Sequence, residues 1–307
     1  MKSISINKII TEMKLEVIHI PENTEIMLYN SELSRPGLQL AGFFDTFAFE
    51  RIQIIGKTET HYIETMTGDS KANRIDKLFA YPLPAVIVTS GLDIDPVLAY
   101  CAKKHGRVLL RTQDKSTKLI SNLMNFLEEM LAPEKTIHGV VMEVYGVGVL
   151  LRGQSGIGKS ETALELIKRG HRLVADDAVV ISKIDNVIYC ASEPLTRHLL
   201  EIRGVGIIDV KHLYGVGSVK IRQRLSLIVD LEEWSDNKYY DRLGFDDEYE
   251  EIFDIKVNRV NIPVRPGRNI ATIVEVASMN LRQKLLGYSM EEEFNKRVTE
   301  NLSDVEI

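Results

Sequence analysis

The chain has 307 residues, with 38 basic against 44 acidic side chains for a net charge of −6, and its composition is 44% hydrophobic and 27% charged. That balance is the one a soluble globular protein of two domains shows, and it argues against nucleic acid or an anionic membrane as the main partner. The two cysteines, Cys101 and Cys190, lie far apart and outside any CxxC spacing, so reduced thiols and a cytoplasmic location are expected.

The first 20 residues, MKSISINKIITEMKLEVIHI, hold no unbroken apolar region and no small-residue cleavage site, so no signal peptide is expected. No later run approaches the roughly 18 apolar residues of a membrane span. LEVIHI (15–20) and RIQIIG (51–56) predict strands, and AVIVTS (85–90) has the continuous apolar character of a buried parallel strand. DPVLAYCAKKHG follows as a helix stopped by Gly106, then RVLLRTQ (107–113) as a strand. In STKLISNLMNFLEEML, Leu119, Leu123, Phe126, Leu127 and Met130 recur at helical spacing up to Ala132-Pro133. Alternating strands and helices imply an α/β domain, and the polar, proline-bearing LAPEKT (131–136) places a boundary that divides the chain into 1–132 and 133–307.

Beyond the boundary GVVMEVYGVGVLLRG (139–153) predicts two strands joined around Gly146. LVAD (173–176), AVVISKI (178–184), LSLIVDL (225–231) and ATIVEVA (271–277) read as further strands, and Ser289 with Glu292 forms a capping box that opens a last helix. The second of the two strands runs into Gly153, Gln154, Ser155, Gly156, Ile157, Gly158, Lys159 and Ser160, a full match to G-x-x-x-x-G-K-[ST] between a strand and a helical pattern. Glycines let successive backbone N–H groups turn inward on phosphate oxygens, and the helix N-terminus adds positive partial charge. Lys159 can reach the terminal phosphates, and Ser160 can offer its hydroxyl to Mg²⁺.

A phosphate cradle is silent about the acceptor. Enzymes of this kind place a metal-ordering carboxylate at a second strand end, and two candidates exist: the pair Asp176-Asp177 after RLVA, and Asp230 after LSLIV. Adjacent residues of a strand alternate in direction, so at most one of the pair is expected to face the cradle. A carboxylate beside Mg²⁺ and phosphates can also take the proton of an attacking hydroxyl. Motif spacing leaves the choice open. LLEIRGVGIIDV (199–210) adds a carboxylate, a guanidinium and two glycines within six residues and ends in an apolar strand; such a stretch can bring backbone and opposite charges close to a phosphate or metal, or form a hairpin with a surface salt bridge.

GQSGIGKS, ADD (175–177), EIRGVGIID and PVRPGRN together, in this order and spacing, resemble the motifs of the HPr kinase/phosphorylases, bifunctional bacterial enzymes that act on a regulatory serine of the phosphocarrier protein HPr. The resemblance spans nearly the whole chain and is strongest from Thr136 to Asn269. It implies an N-terminal α/β domain like that of the Mur ligases and a C-terminal P-loop domain resembling PEP carboxykinase. It implies a kinase that uses ATP or pyrophosphate, and a reverse reaction in which inorganic phosphate attacks phosphoserine and releases pyrophosphate. By the same resemblance His138, at the start of its strand, Lys159, Asp177 and Arg242 are the catalytic positions, Asp177 being the base, and Ser160 and Glu201 hold Mg²⁺. Val264, Arg265, Pro266, Gly267, Arg268 and Asn269 match the dephosphorylation loop. Glu201, Ile202, Arg203, Gly204, Val205, Gly206, Ile207, Ile208, Asp209 and Val210 match the signature segment. A homohexamer, allosteric fructose 1,6-bisphosphate and a role in catabolite repression follow as expectations. The competing readings are a non-catalytic nucleotide-sensing P-loop regulator and a small-molecule kinase.

Overall fold

The structure, a computed structural model, describes residues 2–22, 25–235, 248–288, 293–294, 296–297 and 299. The chain divides into two compact units, Met1–Pro133 and Glu134–Ile307. None of the described helices is long and apolar enough to cross a membrane.

In chain order the first unit contains β1 (Ile4–Ser5), α1 (Ile6–Glu12), β2 (Glu16–His19), β3 (Met27–Leu28), β4 (Leu33–Ser34), α2 (Gly37–Leu40), β5 (Ile52–Ile55), α3 (Lys57–Thr65), α4 (Gly68–Ala80), β6 (Val86–Val88), α5 (Pro96–His105), β7 (Leu109–Arg111) and α6 (Ser116–Leu131). Its five-stranded sheet runs β2-β7-β6-β5-β4, parallel throughout except for β2 at one edge. Both faces are covered, which is why the central strand β6 reads as a continuous apolar run, whereas β5 carries Gln53 and the edge strand β2 carries Glu16 and His19. Ile55, Val86 and Val88 pack with helices α2 to α5, whereas Ile52, Ile54 and Ile87 pack with α1 and α6. Helix α5 begins where the Asp95 side chain accepts the Val97 N–H and ends at left-handed Gly106.

The second unit contains β8 (Glu134–Val144), β9 (Val147–Gly153), α7 (Lys159–Lys168), β10 (Arg172–Ile184), β11 (Val187–Ser192), β12 (Leu199–Ile202), β13 (Gly206–Asp209), α8 (Val210–Tyr214), β14 (Arg222–Glu233), β15 (Glu248–Ile252), β16 (Ile255–Val264) and α9 (Ile270–Leu285). Seven strands form one sheet in the order β11-β10-β8-β9-β14-β16-β15, and β11 also pairs with the start of β14, closing five of them into a ring. Helices α7 and α9 cover one face through Ala163, Leu166, Ala271 and Val274, and Val141, Leu150, Val179 and Ile228 fill a second core.

Three expectations need correction. LVAD and AVVISKI are one continuous strand, β10, because the two aspartates between them stay within the ladder to β8. ATIVEVA lies in helix α9: its β-branched residues read as strand, but Ile270, Ala271, Val274, Ser278 and Leu281 are buried at helical spacing, and the Asn269 side chain caps the Thr272 N–H. His138 stands inside β8 and not at its start. Ser289 and Glu292 lie outside the described residues.

On one face of the sheet Arg152 of β9 binds Asp230 of β14 through Nε and Nη2 at 2.8 and 2.9 Å, and Glu250 of β15 at 2.8 and 2.6 Å. Arg259 of β16 binds Asp230 at 2.6 Å. Burial raises the Asp230 carboxyl, but the two guanidinium groups outweigh it and hold the carboxyl below its ordinary range. Arg152 does the same for Glu250. Replacing Arg152 by Met removes a partner from two half-buried carboxylates, and we predict a loss of about 1–3 kcal/mol in urea unfolding. Carboxyls whose pKa is depressed in the fold contribute stability above their unfolded pKa, near 4, and lose it as pH falls through the folded value. The gap between wild type and Arg152→Met should therefore narrow below about pH 4; a gap constant from pH 7 to 3 would assign the effect to packing of the arginine stem.

Candidate active site

The candidate pocket forms where β9 ends, α7 begins, β8 and β10 run side by side, and the β12–β13 hairpin comes over. It is lined by His138, Ser155, Lys159, Ser160, Glu161, Asp176, Asp177, Glu201 and Arg203, with glycines 139, 156 and 158. Gly153, Gln154 and Ile157 belong to the loop without lining it.

The loop follows from its glycines. Gly156 and Gly158 have φ of +88° and +103°, a region costly for other residues. A side chain at 156 would also meet Arg203, whose Nη1 lies 2.7 Å from the position of a Cβ. Lys159 opens α7, is only 8% exposed, and donates from Nζ to the carbonyls of Gly153 and Gln154 at 2.9 and 3.1 Å. Its ammonium is thereby held at the loop. Arg203, in the hairpin turn, donates to Ser155 Oγ at 2.6 Å and ties hairpin to loop.

Strands β8 and β10 bring His138 and Asp177 together. Their register sets Asp176 opposite Val140, Asp177 opposite Gly139, and Ala178 opposite His138. In a regular ladder His138 and Asp176 would share one face and Asp177 would point to the other. Asp177 instead has φ of +65°, and this left-handed step turns its carboxylate back, so that both aspartates line the pocket. The expectation that at most one of them faces the cradle is wrong for this reason. His138 Nδ1 lies 2.8 Å from Asp177 Oδ1, and the side chains are 60% and 72% exposed, open to an incoming substrate.

Asp176 is 8% exposed and accepts the Glu201 N–H at 3.0 Å, which fixes β12 against β10. Burial pushes its carboxyl above the ordinary range, against the pull of N–H groups from Glu201 and Asp177, and the neighbouring carboxylates push it the same way. Asp230 does not line the pocket; it belongs to the arginine network on the sheet. Of the two carboxylate candidates, the geometry favours 176–177.

The donor set fits a hard divalent cation. Four carboxylates, Glu161, Asp176, Asp177 and Glu201, line the pocket against two fixed cations, Lys159 and Arg203. A polyphosphate would meet an excess of negative charge there unless a cation came with it. Among the described residues no three His, Cys, Asp or Glu side chains converge to hold an ion. Ser160 and Glu201 both line this pocket, and their oxygens are donors of the kind Mg²⁺ takes alongside phosphate oxygens and water.

The remaining expected positions lie elsewhere. Val264 ends β16, Asn269 caps α9, and the turn between them stands outside the pocket. There Arg265 lies over the Trp234 ring, 4.6 Å from its centroid, and Arg268 donates to the Pro263 carbonyl at 2.9 Å. Of the signature segment only Glu201 and Arg203 line the pocket. Arg242 lies outside the described residues. Sequence reading left Glu161 without a role, although its place in the first turn of the helix after the cradle was a usable signal. The His138–Asp177 contact had no local signal at all, since it depends on strand pairing.

The profile described as the HPr Serine kinase N terminus matches residues 4–127, and that of the HPr Serine kinase C-terminal domain matches residues 129–298. A protein of Caldanaerobacter subterraneus subsp. tengcongensis named HPr kinase/phosphorylase is 54% identical over 305 residues, 99% of this chain and 100% of its own length. Proteins of the same name from Alkaliphilus metalliredigens and a Geobacillus species are 50% and 46% identical, covering 99% and 100% of this chain and 99% of each relative. Profiles that together span both units, and relatives matched from end to end, lead to one conclusion: the chain belongs to the HPr serine kinase/phosphorylase family.

Proposed function

We propose that the protein phosphorylates a serine of HPr with ATP or pyrophosphate, and reverses the reaction by phosphorolysis, inorganic phosphate attacking phosphoserine to release pyrophosphate. The observation that carries the reading is Asp177, paired with His138, on the same pocket as Lys159 and Ser160.

In the forward direction the serine hydroxyl gives its proton to the Asp177 carboxylate as its oxygen bonds the terminal phosphorus, and the bond to the leaving phosphate breaks. In the reverse direction a protonated Asp177 returns that proton to the departing serine oxygen, as microscopic reversibility requires. His138 orients the carboxylate through its 2.8 Å contact. Lys159 and the loop N–H groups hold the phosphates of either donor. Ser160 and Glu201 would hold Mg²⁺, which supplies neutralisation of phosphate charge. Arg242 would contribute a further cation to the transferring group, and Arg265 and Arg268 would serve the dephosphorylation direction from their loop.

The same reading takes the N-terminal unit as Mur-ligase-like and the C-terminal unit as related to PEP carboxykinase. It takes the assembly as a cytoplasmic homohexamer that responds to fructose 1,6-bisphosphate in catabolite repression.

Incubation with HPr, Mg²⁺ and ATP should yield phosphoserine, and phosphoseryl-HPr with phosphate should yield pyrophosphate. Neither product appearing would end the reading. Asp177→Asn should lower both rates by about 10²–10⁴-fold, with nucleotide affinity kept within a few-fold in a binding titration. Transfer retained near the wild-type rate would remove Asp177 as the base.

A further inference from the structure

The β12–β13 hairpin carries two side chains that phosphoryl transfer does not use. Ile207 is 70% exposed, and Val205, in the turn, is 74% exposed. The register sets Ile207 directly opposite Glu201. Residues opposite each other in an antiparallel ladder share a face, with Cβ atoms about 4.5–5.5 Å apart. Ile207 therefore stands next to the carboxylate that lines the pocket. The adjacent pair, Leu200 and Ile208, faces the other way: Leu200 is fully buried in the core and Ile208 packs against it. The hairpin is thus anchored by one face and presents the other at the rim of the site.

A branched aliphatic side chain in water beside a polar pocket gives up the free energy that burial would return. Phosphates and Mg²⁺ have no use for it. The group that has to pass this rim is the acceptor, and a serine on a folded protein arrives with its neighbours. Arg203 holds the turn to Ser155 of the loop, and Asp176 holds Glu201 to β10, so the rim is fixed relative to the place where the hydroxyl must come. We propose that Ile207, with Val205 beside it in the turn, is a specificity-determining contact that receives an apolar side chain flanking the acceptor serine on the protein substrate.

The inference rests on the HPr reading and is tested in the full-length protein by steady-state kinetics in both directions. Ile207→Ser should raise KM for HPr and for phosphoseryl-HPr roughly five- to tenfold, while KM for ATP moves less than twofold. Ile207→Val, which keeps a branched aliphatic group, should stay within about twofold of wild type for HPr. Val205→Ser, a change in the turn and off the ladder, should move the HPr KM in the same direction. An unmoved HPr KM in Ile207→Ser overturns the inference alone. So does a fall in kcat with KM unchanged, which would mean that the side chain acts through Glu201. A shift in sedimentation without a change in KM would assign the strip to contact between copies of the chain and would overturn it too. A wild type that leaves HPr unmodified removes the HPr reading and this inference with it.

Discussion

One left-handed step of the backbone, at Asp177 in the interior of β10, brings His138 and both aspartates to one pocket. A regular strand would divide Asp176 and Asp177 between two faces of the sheet and separate the second from His138. With φ at +65° both carboxylates reach the same pocket. Such a residue costs of the order of 1–3 kcal/mol and persists only where its surroundings fix it. Aspartate is among the few side chains that tolerate the conformation. The strand opposite is equally constrained: a Cβ at Gly139 would lie 2.8 Å from the Leu151 carbonyl, so β8 and β9 close together only because nothing is there.

Two sets of carboxylates in the same unit show how surroundings separate structure from chemistry. Asp230 and Glu250 are clasped by guanidinium groups and held below the ordinary carboxylate range. Asp176 is buried without a cation of its own, takes backbone N–H groups instead, and is pushed upward. The first set closes its charge within the protein. The second leaves a pocket in which carboxylates outnumber fixed cations, an imbalance that polyphosphate with a divalent ion can complete. Arg203 joins the glycine hairpin to the loop before α7 through Ser155.

What was legible in the sequence was local. GQSGIGKS declares itself because turn, cradle and helix start are written in eight consecutive residues, and Gly106 marks the end of α5 for the same reason. Strand β6 was readable in AVIVTS because burial on both faces leaves an uninterrupted apolar run, whereas the two-residue parallel strand β4 gave no such signal. The errors came where composition and context disagree. The β-branched residues of ATIVEVA look like strand until their buried subset is seen to repeat every three or four positions. The two aspartates of β10 look like a turn until β8 is seen to pair straight through them. The division of labour between Asp177 and Asp230 could not be read from spacing, because it is set by arginines 78 and 29 residues distant from Asp230 in the chain.

The ring formed by β11 reaching the start of β14 has a consequence for how the molecule lives among other proteins. Closing five strands on themselves leaves the large sheet with β15 as its one open border among the described strands. Unpaired N–H and carbonyl groups along a border invite another chain to add on. Apart from Glu250, whose charge Arg152 meets, β15 carries the carboxylates of Glu248 and Glu251, so two such borders meeting side by side would repel each other. The fold thereby hides most of its capacity for unwanted strand pairing and guards what remains with like charge.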